Sequence, residues 1–436
     1  ESGNREERER ERERRSMAAD KMWEEVEVII VGAGIAGLAT ALALKRVGAK
    51  RVVVLEKAPG LRATGAALTL YPNAWRALAA LGVVHKLNPL YPAFQRARVT
   101  NFITGATQEI TFGKAGSSEE GVRSVHRRVL LETLAEELAP GSVRFSTKIT
   151  SIDTQSPNDA SSGVVLHLDD GTLIRAKALI GCDGVHSMVA HWLGLSTPVD
   201  SGRFAVRGLA VYPDGHALNR EVQQFLGKSE RAGIVPMNDK EIYWFITNWS
   251  NPSDREIAWD AELILKHVTE GAAKDFPPQY LEVARHSDPS TLSWAPLLLR
   301  FPWHVIVGPT HKGNVTVAGD AFHPMTPDLG QGGCAALEDA VVLGRNMATC
   351  LRLDGSVDKE RAAGCLATFV AERKWRAARL VAGAYLSGWV QQGGSGWWER
   401  VVKFVRDSAF YRFFFPKLVA TIIDYDCGRL PTAVPA

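Results

Sequence analysis

Cysteine is sparse in this chain. Five residues, Cys182, Cys334, Cys350, Cys365 and Cys427, are scattered through 436 positions with no Cys-x-x-Cys pair and no His/Cys spacing of a zinc site. That excludes a disulfide scaffold and a Cys/His metal centre, and it points to a reducing compartment. A dominant charge sign is missing as well: 51 basic residues face 48 acidic ones, for a net charge of +3, and the basic residues form no stripe. Nucleic acid is therefore not an expected partner. No stretch approaches the ~20 apolar residues needed to span a bilayer, so no transmembrane segment is expected. There is no Gly-x-Ser-x-Gly elbow and no phosphate-loop lysine motif, and His186 and His191 are not at metal-ligand helical spacing. These absences remove serine hydrolysis, triphosphate hydrolysis and metal catalysis, and no metal is expected. The expectation is a soluble intracellular protein, with the cytoplasm the first choice of compartment and organelle targeting left open.

What is present is a large apolar fraction, 46% of the chain, enough for two or three domains. The first fifteen residues, ESGNREERERERERR, alternate in charge and are expected to be a disordered tail, with the fold starting near Met22. From Val26 to Val31 a β-branched apolar run leads into Gly32-Ala33-Gly34-Ile35-Ala36-Gly37 and then a helical stretch from Leu38 to Val47. A second strand, Arg51 to Leu55, ends at Glu56 and Lys57, nineteen residues after Gly37 in the case of Glu56. Strand, glycine turn, helix, strand and terminal acid together specify a dinucleotide site. Gly32 permits the turn, Gly34 lets a pyrophosphate approach the backbone, Gly37 allows close helix–strand packing, and Glu56 suits ribose hydroxyls. The helix N-terminus adds free N–H groups and a partial positive charge of ~0.5.

This opening serves NAD and FAD enzymes alike, and the choice comes from two later segments. Strand-like Ala178-Leu179-Ile180-Gly181 runs into Cys182-Asp183-Gly184-Val185-His186-Ser187, and Val315-Thr316-Val317-Ala318 runs into Gly319-Asp320-Ala321-Phe322-His323-Pro324. With these motifs the chain resembles the flavoprotein aromatic hydroxylases, the group A flavin monooxygenases, and within them the plant salicylate-hydroxylase-like branch. The resemblance runs from Val26 to the C-terminal Asp426-Cys427-Gly428-Arg429-Leu430-Pro431. It implies FAD as cofactor and transient NADPH or NADH as reductant. It further implies that Asp320 bonds a ribityl hydroxyl and that the turn PMTPDLGQGG, with Pro327, Gly330, Gln331, Gly332 and Gly333, passes beside the isoalloxazine ring. A helix from Cys334 to Asn346 would follow, its N-terminus favouring negative charge on the flavin. Asp183 and Gly184 resemble the motif near the pyrophosphate and NAD(P)H. His126-Arg127-Arg128-Val129-Leu130 resembles the helix start that presents Arg127 to FAD, with Arg123 a second candidate. Ala190 stands where many family members carry Arg, and there is no second Gly-x-Gly-x-x-Gly unit for the nicotinamide nucleotide.

Between Arg203 and Leu298 short β-like runs, Phe204 to Val211, Val222 to Leu226, Ala232 to Pro236 and Glu241 to Asn248, predict an antiparallel sheet roofing the flavin. Within it Arg207 resembles the Arg of an Arg-Gly pair near the flavin edge and substrate and is the candidate catalytic residue. Gln224, Tyr243 and Phe245 are substrate-pocket candidates by period-two spacing. The stretch Gly65 to Asn73 resembles the family's interdomain loop, followed by a helix from Ala74 to Leu81. The aromatic and basic tail from Trp397 to Leu418 is expected to pack on the main domains rather than lie on a membrane. The predicted class is α/β, α+β overall: a Rossmann-type FAD-binding domain with a parallel sheet, a smaller antiparallel-sheet substrate domain and a C-terminal helical region. The expected division is a tail at 1–22, FAD-binding segments at 23–75, 121–200 and 301–350, substrate-domain segments at 76–120 and 201–300, and C-terminal helices at 351–436.

The implied reaction is hydroxylation of a small aromatic or hydrophobic substrate by O2 through a flavin hydroperoxide. Two alternatives stand beside it: an isoprenoid or alkene epoxidase of the same type, and a non-catalytic flavin-binding regulatory protein. Fold and motif leave the substrate and the oligomeric state open.

Overall fold

The computed structural model describes residues 23–62, 66–112, 120–154, 163–251, 254–392 and 415–432. The charged N-terminal tract and most of the Trp397–Leu418 stretch lie outside the described residues.

Continuous apolar runs form the middle of an eight-stranded sheet. Strand β1 (Trp23–Val31) pairs in parallel with β2 (Val52–Leu55) on one side and with β10 (Leu173–Gly181) on the other. Two more parallel pairings extend it, β7 (Val143–Arg144) beside β2 and β17 (Val315–Val317) beside β10. Val28, Ile29 and Ile30 are wholly buried because helices cover both faces, which is why the strand's second half, Val28 to Val31, reads as unbroken β-branched sequence. Antiparallel β8 (Ile149–Thr154), β9 (Val164–Leu168) and β16 (His311–Lys312) finish the sheet.

Helix α1 (Ile35–Arg46) follows β1, and every residue from Ile35 to Leu44 is buried. Its apolar character on all sides reflects its position between the sheet and helix α6 (Gly332–Ala348), which is itself almost wholly buried. Helix α2 (Pro72–Leu81) packs on α6 as well. Residues Ala67–Leu70, expected in a loop, form strand β3 and pair antiparallel with β6 (Arg123–His126), so this connection is a small ribbon and not an irregular linker.

The second sheet has seven strands in the order β15-β11-β14-β13-β12-β4-β5. They are β4 (Arg96–Asn101), β5 (Thr107–Thr111), β11 (Val199–Val211), β12 (Val222–Leu226), β13 (Arg231–Pro236), β14 (Glu241–Trp249) and β15 (Ser293–Leu299). Pairing is antiparallel except for β12 with β4, which is parallel. Phe204, Val206, Ile234, Trp244 and Ile246 point to one face and meet Ile264, Phe276 and Tyr280 in an apolar core. The alternate residues face the first sheet and its helices. A 33-residue helix, α7 (Lys359–Gln391), spans both halves, and α8 (Phe415–Ile423) returns to them, with Ile422 buried against Leu329, Ala335 and Leu380. Among the described residues no helix is long and apolar enough to cross a membrane.

Candidate active site between the two sheets

The glycine turn after β1 divides its labour. Gly32 has φ 101°, and a Cβ on it would lie 2.5 Å from the Cys182 carbonyl oxygen. A Cβ on Gly37 would lie 1.8 Å from the Gly32 carbonyl oxygen. Both positions are closed by packing. Gly34 differs: its backbone is extended, and a Cβ there meets nothing within 4 Å, because it faces a cavity. Glu56 does not reach that cavity. Its buried carboxylate accepts the Ala33 and Ala58 N–H groups, each at 2.9 Å, and so ties the turn to the end of β2, while Lys57 beside it is exposed. Accepting two backbone N–H groups leaves this carboxylate further lone pairs.

The cavity measures about 670 Å³ and is walled on one side by Gly34, Ile35 and Ala36 of α1, by Arg127 and Gly184, and by Asp320. Asp320 is surrounded by protein, but its side chain is exposed within the cavity and has no hydrogen-bond partner among the described residues. Burial pushes that carboxyl up, opposed by His323, Arg127 and Arg207. Arg127 opens helix α3 (Arg127–Glu136), and its Nε is buried without a partner. Burial pulls its pKa down, opposed by Asp320. Arg123 has a different fate: it is buried over the Trp75 ring at 4.9 Å and donates to the Gly121 carbonyl, outside the cavity.

Asp183 and Gly184 also separate. The Asp183 carboxylate turns to cap helix α4 (Met188–Leu193), accepting the Met188 N–H at 2.7 Å and the Ser187 hydroxyl, whereas Gly184, at φ 83°, opens onto the cavity. Most of the Pro324–Gly333 loop lines the cavity, Pro327, Gly330, Gly332 and Gly333 included, but of its glycines only Gly332 leaves room: its Cβ would come no nearer than 3.9 Å to any neighbouring atom. Gly330 serves a left-handed turn at φ 63°, and Gly333 packs so closely that a Cβ would lie 2.8 Å from Leu68. Gln331 turns inward and accepts from Asn73 at 2.9 Å.

Behind this loop is a closed ionic cluster. Asp339 accepts from the Gly319 N–H at 2.8 Å and from Arg373 at 2.7 Å, and it lies 2.7 Å from His323. Arg373 also meets Glu338 at 2.7 Å, and Arg376 and Asn73 complete Glu338 at 2.9 and 2.6 Å. His323 is thus a buried hydrogen-bonding residue that holds the Gly319–Asp320 turn.

The opposite wall is the free face of the seven-stranded sheet. Arg207, Gln224, Tyr243 and Phe245 all lie on it, together with Ala205, Val222 and Val235. Two residues on this face and one facing it from below escaped sequence reasoning. Arg231, placed just outside a strand thought to start at Ala232, is the first residue of β13 and is 5% exposed. Gly233 stands opposite both Gln224 and Phe245, and a Cβ on it would lie 2.6 Å from the Phe245 ring. Asp328, in the loop below, is 1% exposed and reaches up to the sheet. The available signal was Arg231-x-Gly233, in phase with Gln224 across one pairing and Phe245 across the other. Ala420 and Ile423 of α8 close one side. Among the described residues no group of His, Cys, Asp and Glu is arranged to hold a metal.

Comparison with known proteins agrees with this geometry. Residues 25–384 match the family described as FAD binding domain. Monooxygenase 2 of Arabidopsis thaliana is 37% identical over 413 residues, covering 93% of this chain and 98% of that protein. Aurachin C monooxygenase/isomerase of Stigmatella aurantiaca is 30% identical, covering 84% and 89%. The crystal structure of Klebsiella pneumoniae HpxO complexed with FAD and uric acid superposes with a TM-score of 0.76 at 25% identity, covering 92% of this chain and 98% of that one. The match spans the parallel sheet, the antiparallel sheet and the helices that follow, so a purely regulatory flavin-binding role gives way to an enzymatic one. The chain belongs to the FAD binding domain family and is an FAD-dependent monooxygenase of the aromatic-hydroxylase type.

Proposed function

We propose that FAD lies along the cavity from the Gly34 turn to the Pro327–Gly333 loop, and that a small aromatic substrate is hydroxylated between that loop and the roofing sheet. NADPH or NADH is the reductant and O2 the co-substrate. The observation that carries this reading is one continuous cavity lined below by Gly34, Arg127, Gly184 and Asp320 and above by Arg207, Gln224, Tyr243 and Phe245. On this reading residues 23–75, 121–200 and 301–350 serve FAD, and residues 76–120 and 201–300 supply substrate-domain elements.

The residues present suit FAD. Side chains are missing where a pyrophosphate and a ring need room, at Gly34, Gly184 and Gly332, and each of these is open around its would-be Cβ. Arg127 keeps an unpartnered buried Nε, suited to a phosphate oxygen, and the Asp320 carboxylate, without a partner of its own, suits a ribityl hydroxyl. Gly32, Gly37 and Glu56 hold the turn in shape. Asp183 holds Gly184 in place through α4, and Gln331 fixes the loop.

When bound, FAD supplies the redox chemistry, accepting electrons from NAD(P)H and activating O2. The chain supplies position and environment. The N-terminus of α1 favours the diphosphate charge, and that of α6 favours negative charge near the ring. The apolar lining from Ile35, Ala36, Val222 and Val235 keeps water from the reacting atoms. Tyr71, on the same wall, is pushed up to about 12 by burial, so its hydroxyl stays protonated and able to donate. Arg207 lies on the roof with no ion-pair partner among the described residues, ready to orient a polar substituent. Guanidinium groups on the roof disfavour the isoprenoid epoxidase alternative, whose substrate offers them no acceptor. Uric acid, held by the Klebsiella relative, is a small planar ring of the size this reading requires.

The test is NAD(P)H-dependent oxygen transfer by the FAD-supplemented protein to a panel of aromatic acids, phenols and isoprenoids, read by mass spectrometry. The expected result is an aromatic product one oxygen heavier. An isoprenoid epoxide, or flavin reduction that no aromatic compound accelerates, would overturn the reading.

A further inference from the structure

We propose that Arg231 is a specificity-determining residue that takes an anionic group, of the carboxylate class, on the aromatic substrate. The inference rests on the reading of the sheet face as the substrate wall.

It starts from a charge imbalance. Asp328 is a single buried carboxylate facing two buried guanidiniums. Arg203 takes both of its oxygens, at 3.1 and 2.7 Å, and is itself capped by the Gln392 carbonyl. Arg231 reaches only an oxygen that Arg203 already uses, at 3.4 Å, and its Nε lies 3.4 Å from the Gln224 carbonyl oxygen. A guanidinium carries five N–H donors, and these two long contacts leave donors directed to the cavity. One carboxylate is therefore shared by two arginines, and a net positive charge stays buried at the cavity wall. Such a charge is costly unless a ligand supplies the anion.

Arg231 is also held still. Its guanidinium lies 5.3 Å from the centre of the Phe245 ring, and the missing side chain at Gly233 gives that ring its space. A fixed planar fork matches a carboxylate with two parallel hydrogen bonds. A ring attached to that carboxylate would then lie along Phe245 and Tyr243. Arg207, on the same face and in register with Phe245, has none of these restraints. Asp320, on the opposite wall, has Arg127 and Arg207 as its cationic neighbours.

The test compares acids with their neutral amides: benzoate and benzamide, salicylate and salicylamide, cinnamate and cinnamamide, indole-3-acetate and indole-3-acetamide. Dissociation constants are read from the change in the visible absorbance of protein-bound FAD, so no turnover is needed. At least one acid is expected to bind about 10- to 100-fold more tightly than its amide, the range of a charge-assisted hydrogen bond. Arg231→Met is expected to bring that ratio to about one while FAD occupancy is unchanged, and Arg231→Lys to keep part of it. Removing Arg231 leaves Asp328 paired with Arg203, so the variant should fold, and the wild-type ratios stand on their own if it does not. No preference for any acid in the wild type, or a preference that survives Arg231→Met, overturns the proposal. Loss of FAD from a folded Arg231→Met also overturns it, by assigning the charge to the flavin. Wild-type protein that binds no FAD would instead sink the functional reading beneath it.

Discussion

The two walls of the cavity are made in different ways. The lower wall is backbone: glycine turns, helix N-termini and a carboxylate, held from behind by the Asp339–Arg373–Glu338 cluster. The upper wall is side chain: alternate residues of a sheet whose other face is a packed core. Backbone sites depend on absent side chains and tolerate little change in shape, whereas a sheet face can exchange one residue without disturbing its neighbours across the strand. The lower wall is suited to a fixed cofactor and the upper to a substrate that differs among relatives.

The sharpest way to break this contrast is at the glycines. Gly37→Val puts side-chain atoms against the Gly32 carbonyl, where a Cβ alone would lie at 1.8 Å, and should cost upwards of ~3 kcal/mol, beyond the usual overpacking range. Thermal melts should find little or no folded protein. Next comes the cluster behind the lower wall. Arg373→Met leaves two buried carboxylates short of a partner and should cost about 3–5 kcal/mol, seen as a lowered denaturation midpoint.

The same cluster predicts an acid limb. Burial alone would raise the Asp339 carboxyl, but His323 and Arg373 beside it hold it down at about 2. A depressed folded value means the stabilisation is complete above the unfolded value near pH 4 and is lost as pH falls towards 2. The loss is on the order of 2 kcal/mol, and Asp339→Asn should flatten that part of the stability–pH curve.

Smaller effects follow on the cavity itself. Asp320→Ala removes an acceptor that no protein group uses, so stability should hold while FAD affinity falls roughly ten- to a hundredfold by equilibrium dialysis. Gly233→Ala should push the Phe245 ring from its place at a cost of about 1–3 kcal/mol. Aromatic ligands should then bind less tightly with FAD occupancy unchanged. A loss of FAD in this variant would show that the two walls are not separable.

The same difference decides what could be read from the chain alone. Gly32, Gly34, Gly37 and Asp320 are visible as motifs because a turn, a close approach and a strand end each demand one residue type. The antiparallel sheet was legible from alternation, and Gln224, Tyr243 and Phe245 share a face by period two. Arg231 was not legible, because an arginine at a strand end looks like a solvated charge until the pairing of β13 with β12 and β14 sets its direction. Glu56 and Asp183 were visible as acids at strand ends, but their bonds to nearby backbone N–H groups were not, because local geometry sets them. The β3–β6 ribbon was hidden because its four residues have no alternation to mark them, and only a partner 55 residues away makes them a strand.

The ratio of FAD to protein in purified Gly34→Val measures most directly whether the Gly34 turn is open for a cofactor and not for packing. The backbone there is extended and a Cβ meets no protein atom within 4 Å, so the variant should keep the far-ultraviolet dichroism and melting temperature of the wild type. It should carry almost no FAD, while the wild type carries one per chain. A folded Gly34→Val that retains a full complement of FAD would contradict the placement of the cofactor in this cavity.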